Sequence, residues 1–271
     1  MRIVVALGGN ALLQRGEPLE AENLRANVKI AAKHIATVAA DHELILVHGN
    51  GPQVGLLALQ SEAYKKVHTY PLDVLGAESQ GMIGYLLQQE IANHLTDKSV
   101  VTLLTQMLVD AKDPAMTDPS KPIGPVYKEA QVAGIKAEHP SWTMKPDGEY
   151  FRRVVPSPKP LEICELDAVV ALLEGGSVVI AGGGGGVPCI QDEKGLSVGV
   201  EAVIDKDATA ALIAEKVNAD VFVILTDVDA IYEGWGTSDQ KLIRNATTEQ
   251  LNGHQFAAGS MGPKVRAVSG F

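Results

Sequence analysis

Three lysines occur in settings that suit anion binding. Lys206 lies between two aspartates at the predicted start of a helix, and Lys264 follows a glycine-containing turn into another helix. Lys121 lies in the stiff segment Ser120-Lys-Pro-Ile-Gly-Pro125. A helix N-terminus carries partial positive charge and free N–H groups, so an added lysine there strengthens a pocket for phosphate. The sequence therefore predicts a phosphate site built on these lysines, the alternative for each being an ordinary solvated side chain.

Three apolar strands each lead directly into a glycine-rich turn. The strands and turns are residues 2–7 with Gly8-Gly9-Asn10, residues 43–47 with His48-Gly-Asn-Gly51, and residues 177–181 with the five glycines 182–186. Glycine lets backbone N–H groups curl around an anion, and strands of α/β proteins deliver ligand-binding loops at their carboxyl edge. The three turns predict one composite anion site, although glycines also occur where two backbones pack closely.

Other familiar catalytic signatures are missing from the sequence. There is no phosphate-binding loop ending in Lys-Ser/Thr and no His-Glu-x-x-His zinc helix. The five-glycine run also departs from the dinucleotide fingerprint, because Val187 and Pro188 stand where its last glycine would be required. These absences disfavour a zinc hydrolase and a nicotinamide enzyme.

Composition narrows the class of protein further. The chain has 271 residues, 46% hydrophobic but only 4% aromatic, so its core must consist mainly of Val, Ile, Leu and Ala. Its net charge of −10 argues against nucleic-acid or anionic-membrane partners. Two cysteines, no signal peptide and no apolar run near the roughly 18 residues of a membrane span predict a cytoplasmic protein.

Apolar periodicity predicts alternating strands and helices, hence βαβ units and a mainly parallel sheet. Besides the three strands above, the predicted elements are helices at 23–40, 53–65, 73–94, 161–173 and 206–217, strands at 99–105 and 220–226, and a hairpin within 189–203. Nine of the 14 prolines fall between Pro114 and Pro160. Because this stretch also has apolar anchors, we expect a small ordered subdomain at 111–158, with a disordered insertion as the alternative.

The ordered set of motifs resembles the carbamate kinases of the amino-acid kinase superfamily. The matching stretches are Val5-Ala-Leu-Gly-Gly-Asn-Ala11, Val47-His-Gly-Asn-Gly-Pro-Gln-Val54, Lys121-Pro-Ile-Gly124, Arg152-Arg-Val-Val-Pro-Ser-Pro158, Ala181–Gly186, Val203-Ile-Asp-Lys-Asp207 and Gly259-Ser-Met-Gly-Pro-Lys264. The resemblance implies a three-layer αβα sandwich with a protruding subdomain, and reversible transfer of phosphate from carbamoyl phosphate to ADP, giving ATP and carbamate. It also implies Mg²⁺ carried by the nucleotide phosphates, and a homodimer formed through the helix at 73–94.

By the same resemblance, Lys206 contacts the transferred phosphoryl group and Lys264 the nucleotide phosphates. Asp207 holds their two ammonium groups apart, and Lys121 reaches in from the subdomain. The implied carbamoyl phosphate cradle consists of Gly8, Gly9, Asn10, Gly49, Asn50, Gly51 and Arg153. The implied nucleotide contacts are Gly182, Gly183, Gly184, Gly185, Gly186, Thr226, Asp227, Tyr232, Met261 and Gly262.

The resemblance also divides the single kinase domain into two lobes. Residues 1–158, including the subdomain, form the expected carbamoyl phosphate lobe, and residues 159–271 the nucleotide lobe. Arg152 and Arg153 point to opposite sides of an extended segment, so at most one is expected to face the site; Arg153 is the candidate, and Arg152 stays open as the alternative. His48 is expected to be a satisfied strand-end residue.

Two alternatives stay open at this point. One is an amino-acid kinase with another acceptor, disfavoured by the Lys121-Pro-Ile-Gly124 segment. The other is a catalytically silent paralogue that binds nucleotide or a partner protein, disfavoured because all three lysines are present. One departure from the family pattern is that family members continue past Phe271 with about one more strand and helix, which is expected to weaken C-terminal packing.

Overall fold

The computed structural model describes residues 1–14, 16–64, 68–226, 228, 230–235, 237–254, 256 and 261–271, with the main chain only for Asn10 and Asn252. The strands are β1 Arg2–Leu7, β2 Glu43–His48, β3 Val100–Thr102, β4 Gln106–Val109, β5 Lys121–Tyr127, β6 Thr143–Asp147, β7 Tyr150–Val155, β8 Pro160–Ile163, β9 Val178–Ile180, β10 Val187–Gln191, β11 Ser197–Gly199, β12 Val221–Leu225, β13 Ile231–Glu233 and β14 Lys241–Ile243. The helices are α1 Ala21–Asp41, α2 Gly51–Ala63, α3 Leu72–Ala92, α4 Glu129–Glu138, α5 Leu166–Glu174, α6 Lys206–Lys216, α7 Thr248–Asn252 and α8 Met261–Gly270.

A five-stranded parallel sheet lies at the centre of the molecule. Its strand order is β12-β1-β2-β9-β3, and every adjacent pair is parallel. β1 is paired on both sides, and its residues from Ile3 to Leu7 are all buried. Strands that are buried on both faces become continuous apolar runs, which is why β1 and β2 were recognisable from the sequence.

Helices cover both faces of this sheet. Alternate strand residues divide between two cores, since successive side chains of a strand point to opposite faces. One core joins the sheet to α1 and α3, and the other joins it to α5 and α6. The apolar side chains buried among the described residues are Ile, Leu, Val and Ala with Met and Cys. The three-layer αβα fold expected from the sequence is confirmed.

A second, four-stranded sheet of order β11-β10-β4-β8 corrects two expectations about secondary structure. The strand expected at 99–105 ends at Thr102, and the chain then enters this second sheet as β4. The helix expected at 161–173 was wrong in its first part, because Pro160–Ile163 forms β8, antiparallel to β4, and α5 begins only at Leu166. Tertiary pairing with β4 overrides the local helical pattern here.

The proline-rich stretch is ordered around a three-stranded antiparallel sheet, β5-β7-β6, which with α4 is called the small sheet below. Ile123 and Val155 pack in one cluster with Val54 and Ala58 of α2. Gly55 permits the close approach, because a Cβ built on it would lie 2.0 Å from the Cα of Gly124. The small sheet is therefore docked against α2 by direct backbone contact.

Replacing Gly55 with alanine is expected to lower the free energy of unfolding by about 1–3 kcal/mol, the usual cost of overpacking. The added methyl group has no space unless α2 and β5 separate. Gly81→Ala in α3 is the control, since a Cβ there meets nothing within 4 Å. That change is expected to stabilise the helix by about 0.5–1 kcal/mol. Denaturant unfolding measures both, and equal effects would contradict the close-contact argument.

The remaining features of the fold concern the lengths of its helices and its two cysteines. Among the described helices, none combines the length and apolar character needed to cross a bilayer. Cys164 and Cys189 are free thiols whose Sγ atoms are 3.8 Å apart, one exposed and one buried.

Candidate active site

The three strand-to-glycine junctions come together at one edge of the central sheet. β1, β2 and β9 are neighbours and parallel, so the turns after Leu7, His48 and Ile180 leave the same carboxyl edge. The prediction that these junctions lie together is confirmed. The α2 helix begins at Gly51 directly after the second turn, with Pro52 in its first turn, which adds a helix N-terminus to this edge.

Asp205 starts helix α6 at the same edge. Its Oδ1 accepts hydrogen bonds from the N–H groups of Asp207 at 2.9 Å and Ala208 at 3.4 Å. A carboxylate in this position satisfies donors that a helix leaves unpaired at its N-terminus. The cap places Lys206 and Asp207 in the first turn of α6, and the Lys206 stem lies beside Gly49 of the second glycine turn.

Asp207 bridges two of the predicted lysines. Its Oδ1 accepts from Lys206 Nζ at 2.5 Å, and its Oδ2 accepts from Lys264 Nζ at 3.0 Å. The Asp207 side chain is only 5% exposed, and the two lysine side chains are 13% and 21% exposed. One buried carboxylate therefore fixes two ammonium groups that are 58 positions apart in the sequence.

Electrostatics at Lys206 reflect opposing effects. Burial lowers the pKa of Lys206, the neighbouring Asp207 carboxylate raises it, and the Lys264 ammonium group lowers it again, leaving it below the usual lysine value. A cation held against desolvation and a like charge is more strongly attracted to an arriving anion than a solvated one. The Lys206 ammonium group is accordingly suited to bind an anion, and its contact with a phosphoryl group stays a prediction.

Lys121 joins the cluster from the small sheet. Its Nζ donates to Asp205 Oδ2, the oxygen that is not used in capping α6. Burial raises the pKa of Asp205, but the Lys121 ammonium group, its hydrogen bond and Lys206 lower it, and the net pKa is below the ordinary value. All three predicted lysines are thus paired with two carboxylates, Asp205 and Asp207, at the start of the same helix.

Glycines of the first two junctions are needed for close approach. A Cβ at Gly49 would lie 3.2 Å from Cδ of Lys206, so the lysine stem crosses directly over this residue. A Cβ at Gly8 would lie 3.0 Å from the carbonyl oxygen of Leu225. The N–H of Gly49 donates to the Leu7 carbonyl at 3.1 Å and is committed to the sheet. Gly9 begins a short 3₁₀ turn that ends at Ala11.

The five-glycine run is packed more tightly than the sequence suggested. All five residues are buried, and a Cβ at Gly183 or Gly184 would lie 2.4 Å from His48 Nε2 or 2.1 Å from Asn50 Nδ2. The N–H of Gly182 donates to Thr105 Oγ1, while those of Gly185 and Gly186 donate to carbonyls within the run. Close packing therefore accounts for these glycines, and their contact with a nucleotide stays a prediction.

The two arginines lie on opposite faces of β7. Arg153 pairs with Ile123, and Val155 pairs with Lys121, so Arg153 shares the face of the small sheet that carries Lys121. The Arg153 guanidinium lies 4.4 Å from the ring centre of Trp142. Arg152 instead donates to the carbonyl of Gly124 at 2.7 Å. The register supports the choice of Arg153 as the residue that faces the site.

His48 is buried beneath the five-glycine run, with 1% of its surface exposed. Its Nδ1 is 3.0 Å from the carbonyl oxygen of Gly49, so this nitrogen carries the proton. Burial lowers the pKa of His48 to about 4, against a smaller opposing effect of that hydrogen bond. The imidazole is thus neutral, as expected for a satisfied strand-end residue.

Lowering the pH from 7 to 4 is expected to destabilise the protein partly through His48. The unfolded chain takes up a proton on this residue near pH 6.5 and the folded chain only near pH 4, so stability is lost as pH falls between the two. The loss attributable to His48 is about 3 kcal/mol. Urea unfolding of wild type and His48→Gln across this range isolates it, and parallel pH profiles would contradict the burial argument.

Residues predicted for the nucleotide side are placed less completely. Thr226 directly follows β12, Tyr232 lies in β13 with its ring 4.9 Å from that of Trp235, and Met261 begins α8. Gly262 in the first turn of α8 is buried. Asp227 lies outside the described residues.

Two asparagines were predicted for the carbamoyl phosphate side. The side chain of Asn10 lies outside the described part of the chain. Asn50 is buried and donates to Ser79 Oγ at 2.8 Å.

Asp205 is the site residue that the sequence reasoning overlooked. The available signal was its position immediately before a predicted helix, since aspartate is among the preferred N-cap residues. Its second contact, with Lys121, joins residues 84 positions apart. No local pattern could have indicated that contact.

Comparisons with known proteins identify the family of this chain. The model of the amino acid kinase family matches residues 1–269. A carbamate kinase of Haemophilus influenzae is 54% identical over 272 residues, covering 100% of this chain and 87% of that protein. A carbamate kinase of Pyrococcus horikoshii is 47% identical over 284 residues, covering 100% of this chain and 90% of that protein.

Solved structures give the same relationship. A carbamate kinase from Giardia lamblia bound to AMP-PNP superimposes with a TM-score of 0.87 at 41% identity, covering 100% of this chain and 89% of that one. An isopentenyl phosphate kinase of T. acidophilum, at 17% identity and a TM-score of 0.54, shares the fold alone. The chain belongs to the amino acid kinase family and, within it, to the carbamate kinases.

Proposed function

We propose that this protein transfers a phosphoryl group between carbamoyl phosphate and ADP, giving ATP and carbamate. The observation that carries the proposal is the bridge from Asp207 to both Lys206 and Lys264 beside the Lys121–Asp205 pair. Three lysines and two aspartates leave one net positive charge at the carboxyl edge of the sheet. Such a site suits a substrate whose reacting groups are phosphates.

Each lysine has a distinct position relative to the reaction. Lys206, whose stem lies over Gly49, is proposed to contact the phosphoryl group in transit, and Lys264 on α8 is proposed to contact the nucleotide phosphates. The P–O bond to the carbamate oxygen breaks as a P–O bond to the β-phosphate of ADP forms. The attacking β-phosphate oxygen is already anionic and carbamate leaves as a stabilised anion, so positioning and charge stabilisation suffice and no proton need be moved.

Substrate contacts are proposed on the two sides of this cluster. The carbamoyl phosphate side comprises Gly8, Gly9, Asn10, Gly49, Asn50, Gly51 and Arg153, and lies within residues 1–158. The nucleotide side lies within residues 159–271. Buried and neutral, His48 takes no part as a base in this scheme.

Magnesium is proposed to arrive on the nucleotide phosphates. Among the described residues no group of three or more His, Cys, Asp or Glu side chains could hold a metal ion. Three of the four carboxylate oxygens of Asp205 and Asp207 also accept hydrogen bonds from lysines. Mg²⁺ is usually bound through one or two carboxylates and substrate phosphates, and in this proposal it would neutralise phosphate charge.

The direct test is ATP formation from ADP and fresh carbamoyl phosphate with Mg²⁺. We expect ATP in the coupled assay, and much slower ATP formation with acetyl phosphate, because the carbamoyl end is then absent. A folded protein that makes no ATP would contradict the proposal and favour the silent-paralogue alternative.

Lys121→Ala is expected to raise the KM for carbamoyl phosphate about tenfold or more while changing that for ADP much less. Its ammonium group enters from the small sheet and pairs with Asp205, whereas Lys264 of α8 pairs with Asp207. Lys145→Ala is the matched control, since Lys145 also lies on the small sheet but pairs with Asp118 in solvent. Equal increases in both KM values of the Lys121 variant would contradict its assignment to the carbamoyl phosphate side.

A homodimer in the cytoplasm is also proposed, formed through the outer face of α3. That face exposes Val74 at 38% and Tyr85 at 53%, although the opposite face of the helix is buried against α1. Light scattering at micromolar concentration tests the assembly. A monomeric mass for wild type, or an unchanged dimeric mass for Tyr85→Glu, would contradict this interface.

A further inference from the structure

We propose that Asp205 is a positioning residue that couples the small sheet to the first turn of α6 and thereby places Lys121 in the active site. The inference rests on the proposed carbamate kinase function for its kinetic consequences. The structural part of the inference is that one carboxylate both caps α6 and holds Lys121. This part can be tested without turnover.

The two oxygens of Asp205 serve different parts of the molecule. Oδ1 caps α6 through the N–H groups of Asp207 and Ala208, whereas Oδ2 accepts from Lys121 Nζ. The Asp205 side chain is 22% exposed and that of Lys121 is 36% exposed. The contact is therefore partly shielded from solvent, unlike the Lys145–Asp118 pair of the same small sheet, whose side chains are 42% and 81% exposed.

This arrangement explains how a flexible lysine acquires a defined position. A lysine has a four-carbon stem with many rotamers, and its charge alone does not select one. Asp205 is adjacent in sequence to Lys206, so the oxygen that holds Lys121 moves with the turn that carries Lys206. A displacement of the small sheet from α6 that exceeds the reach of the lysine stem breaks this ion pair.

The small sheet has a second attachment, a backbone contact with α2. Gly55 and Gly124 bring α2 and β5 into backbone contact, and Gly124 is three residues from Lys121 on β5. The glycine contact holds β5 against α2, and the Lys121–Asp205 pair holds the beginning of the same strand against α6. β5 is therefore held at two positions, at Lys121 by α6 and at Gly124 by α2, and these two contacts limit how the strand can move.

The ion pair can be removed while the helix cap is retained. Asn is as good an N-cap as Asp, so Asp205→Asn keeps the α6 cap and removes the negative charge. We expect the KM for carbamoyl phosphate to rise about tenfold, the usual effect of losing a charge-assisted hydrogen bond, with the KM for ADP unchanged. Asp118→Asn is the matched control and is expected to leave both KM values unchanged, because its pair is solvent-exposed.

A double-mutant cycle distinguishes positioning of Lys121 from a general structural effect. Lys121→Met alone and Lys121→Met with Asp205→Asn are expected to show the same KM for carbamoyl phosphate, because Asp205 acts through the lysine. Additive losses would overturn the proposal. A lower KM in Asp205→Asn would also overturn it, since Asp205 would then sequester Lys121 from substrate.

The last experiment does not depend on activity. Lysine acetylation by acetic anhydride, followed by peptide mass spectrometry, measures the reactivity of each ammonium group in the folded wild type and in Asp205→Asn. We expect acetylation of Lys121 to become severalfold faster in the variant while that of Lys145 is unchanged. Unchanged reactivity of Lys121 would refute the positioning role, whereas an inactive wild type that still shows the increase would refute only the proposed reaction.

Discussion

Lys206→Ala is expected to lower kcat by about 1000-fold or more while leaving the protein folded. Removing one preorganised donor from a site that stabilises developing charge costs about 100- to 1000-fold in comparable enzymes. Lys206 combines that role with a 13% exposed side chain and a carboxylate partner at 2.5 Å, so water cannot readily replace it. Steady-state assays in the direction of ATP formation measure the loss.

Stability is expected to change by less than about 1 kcal/mol in this variant. The carboxylate of Asp207 keeps its bond to Lys264, and the repulsion between two nearby ammonium groups disappears. Lys216→Ala is the matched control, because it lies in the last turn of the same helix with its side chain 43% exposed. Rates near wild type for Lys206→Ala would refute the mechanism proposed here.

Asp207→Asn is expected to impair both stability and catalysis. The amide cannot balance two ammonium groups in a largely buried site, and breaking a buried ion pair by removing one partner typically costs several kcal/mol. Because Lys264 is 21% exposed and can move toward solvent, we expect a loss of about 3 kcal/mol in the free energy of unfolding. Turnover is expected to fall about 100-fold, since neither lysine keeps its position.

The control for this change is Asp167→Asn, which replaces an exposed aspartate in the first turn of α5. Its effect on stability is expected to stay within about 0.5 kcal/mol, the range of ordinary surface substitutions. Urea unfolding at pH 7 and steady-state kinetics compare the two variants. Full stability of Asp207→Asn would show that the two ammonium groups do not depend on this carboxylate.

The sequence alone was enough to predict the fold class and to single out the three lysines that the structure brings together. β1 and β2 are continuous apolar runs because both faces of a central parallel strand are buried, and α1 shows its core-facing side at helical spacing. Lys206 was recognisable because it stands at a helix start beside two aspartates. These signals are local, since burial and capping act on neighbouring residues.

Only the tertiary structure decided how the pieces meet. Pairing with β4 made a strand of residues 160–163, and the register of β7 placed Arg153 on the face that carries Lys121. Contacts with His48 and Asn50 showed that Gly183 and Gly184 serve close packing, which the sequence had left open as the alternative to phosphate binding. The link between Lys121 and Asp205 joins residues 84 positions apart, and such contacts depend on how whole elements pack, which no local pattern of residue types encodes.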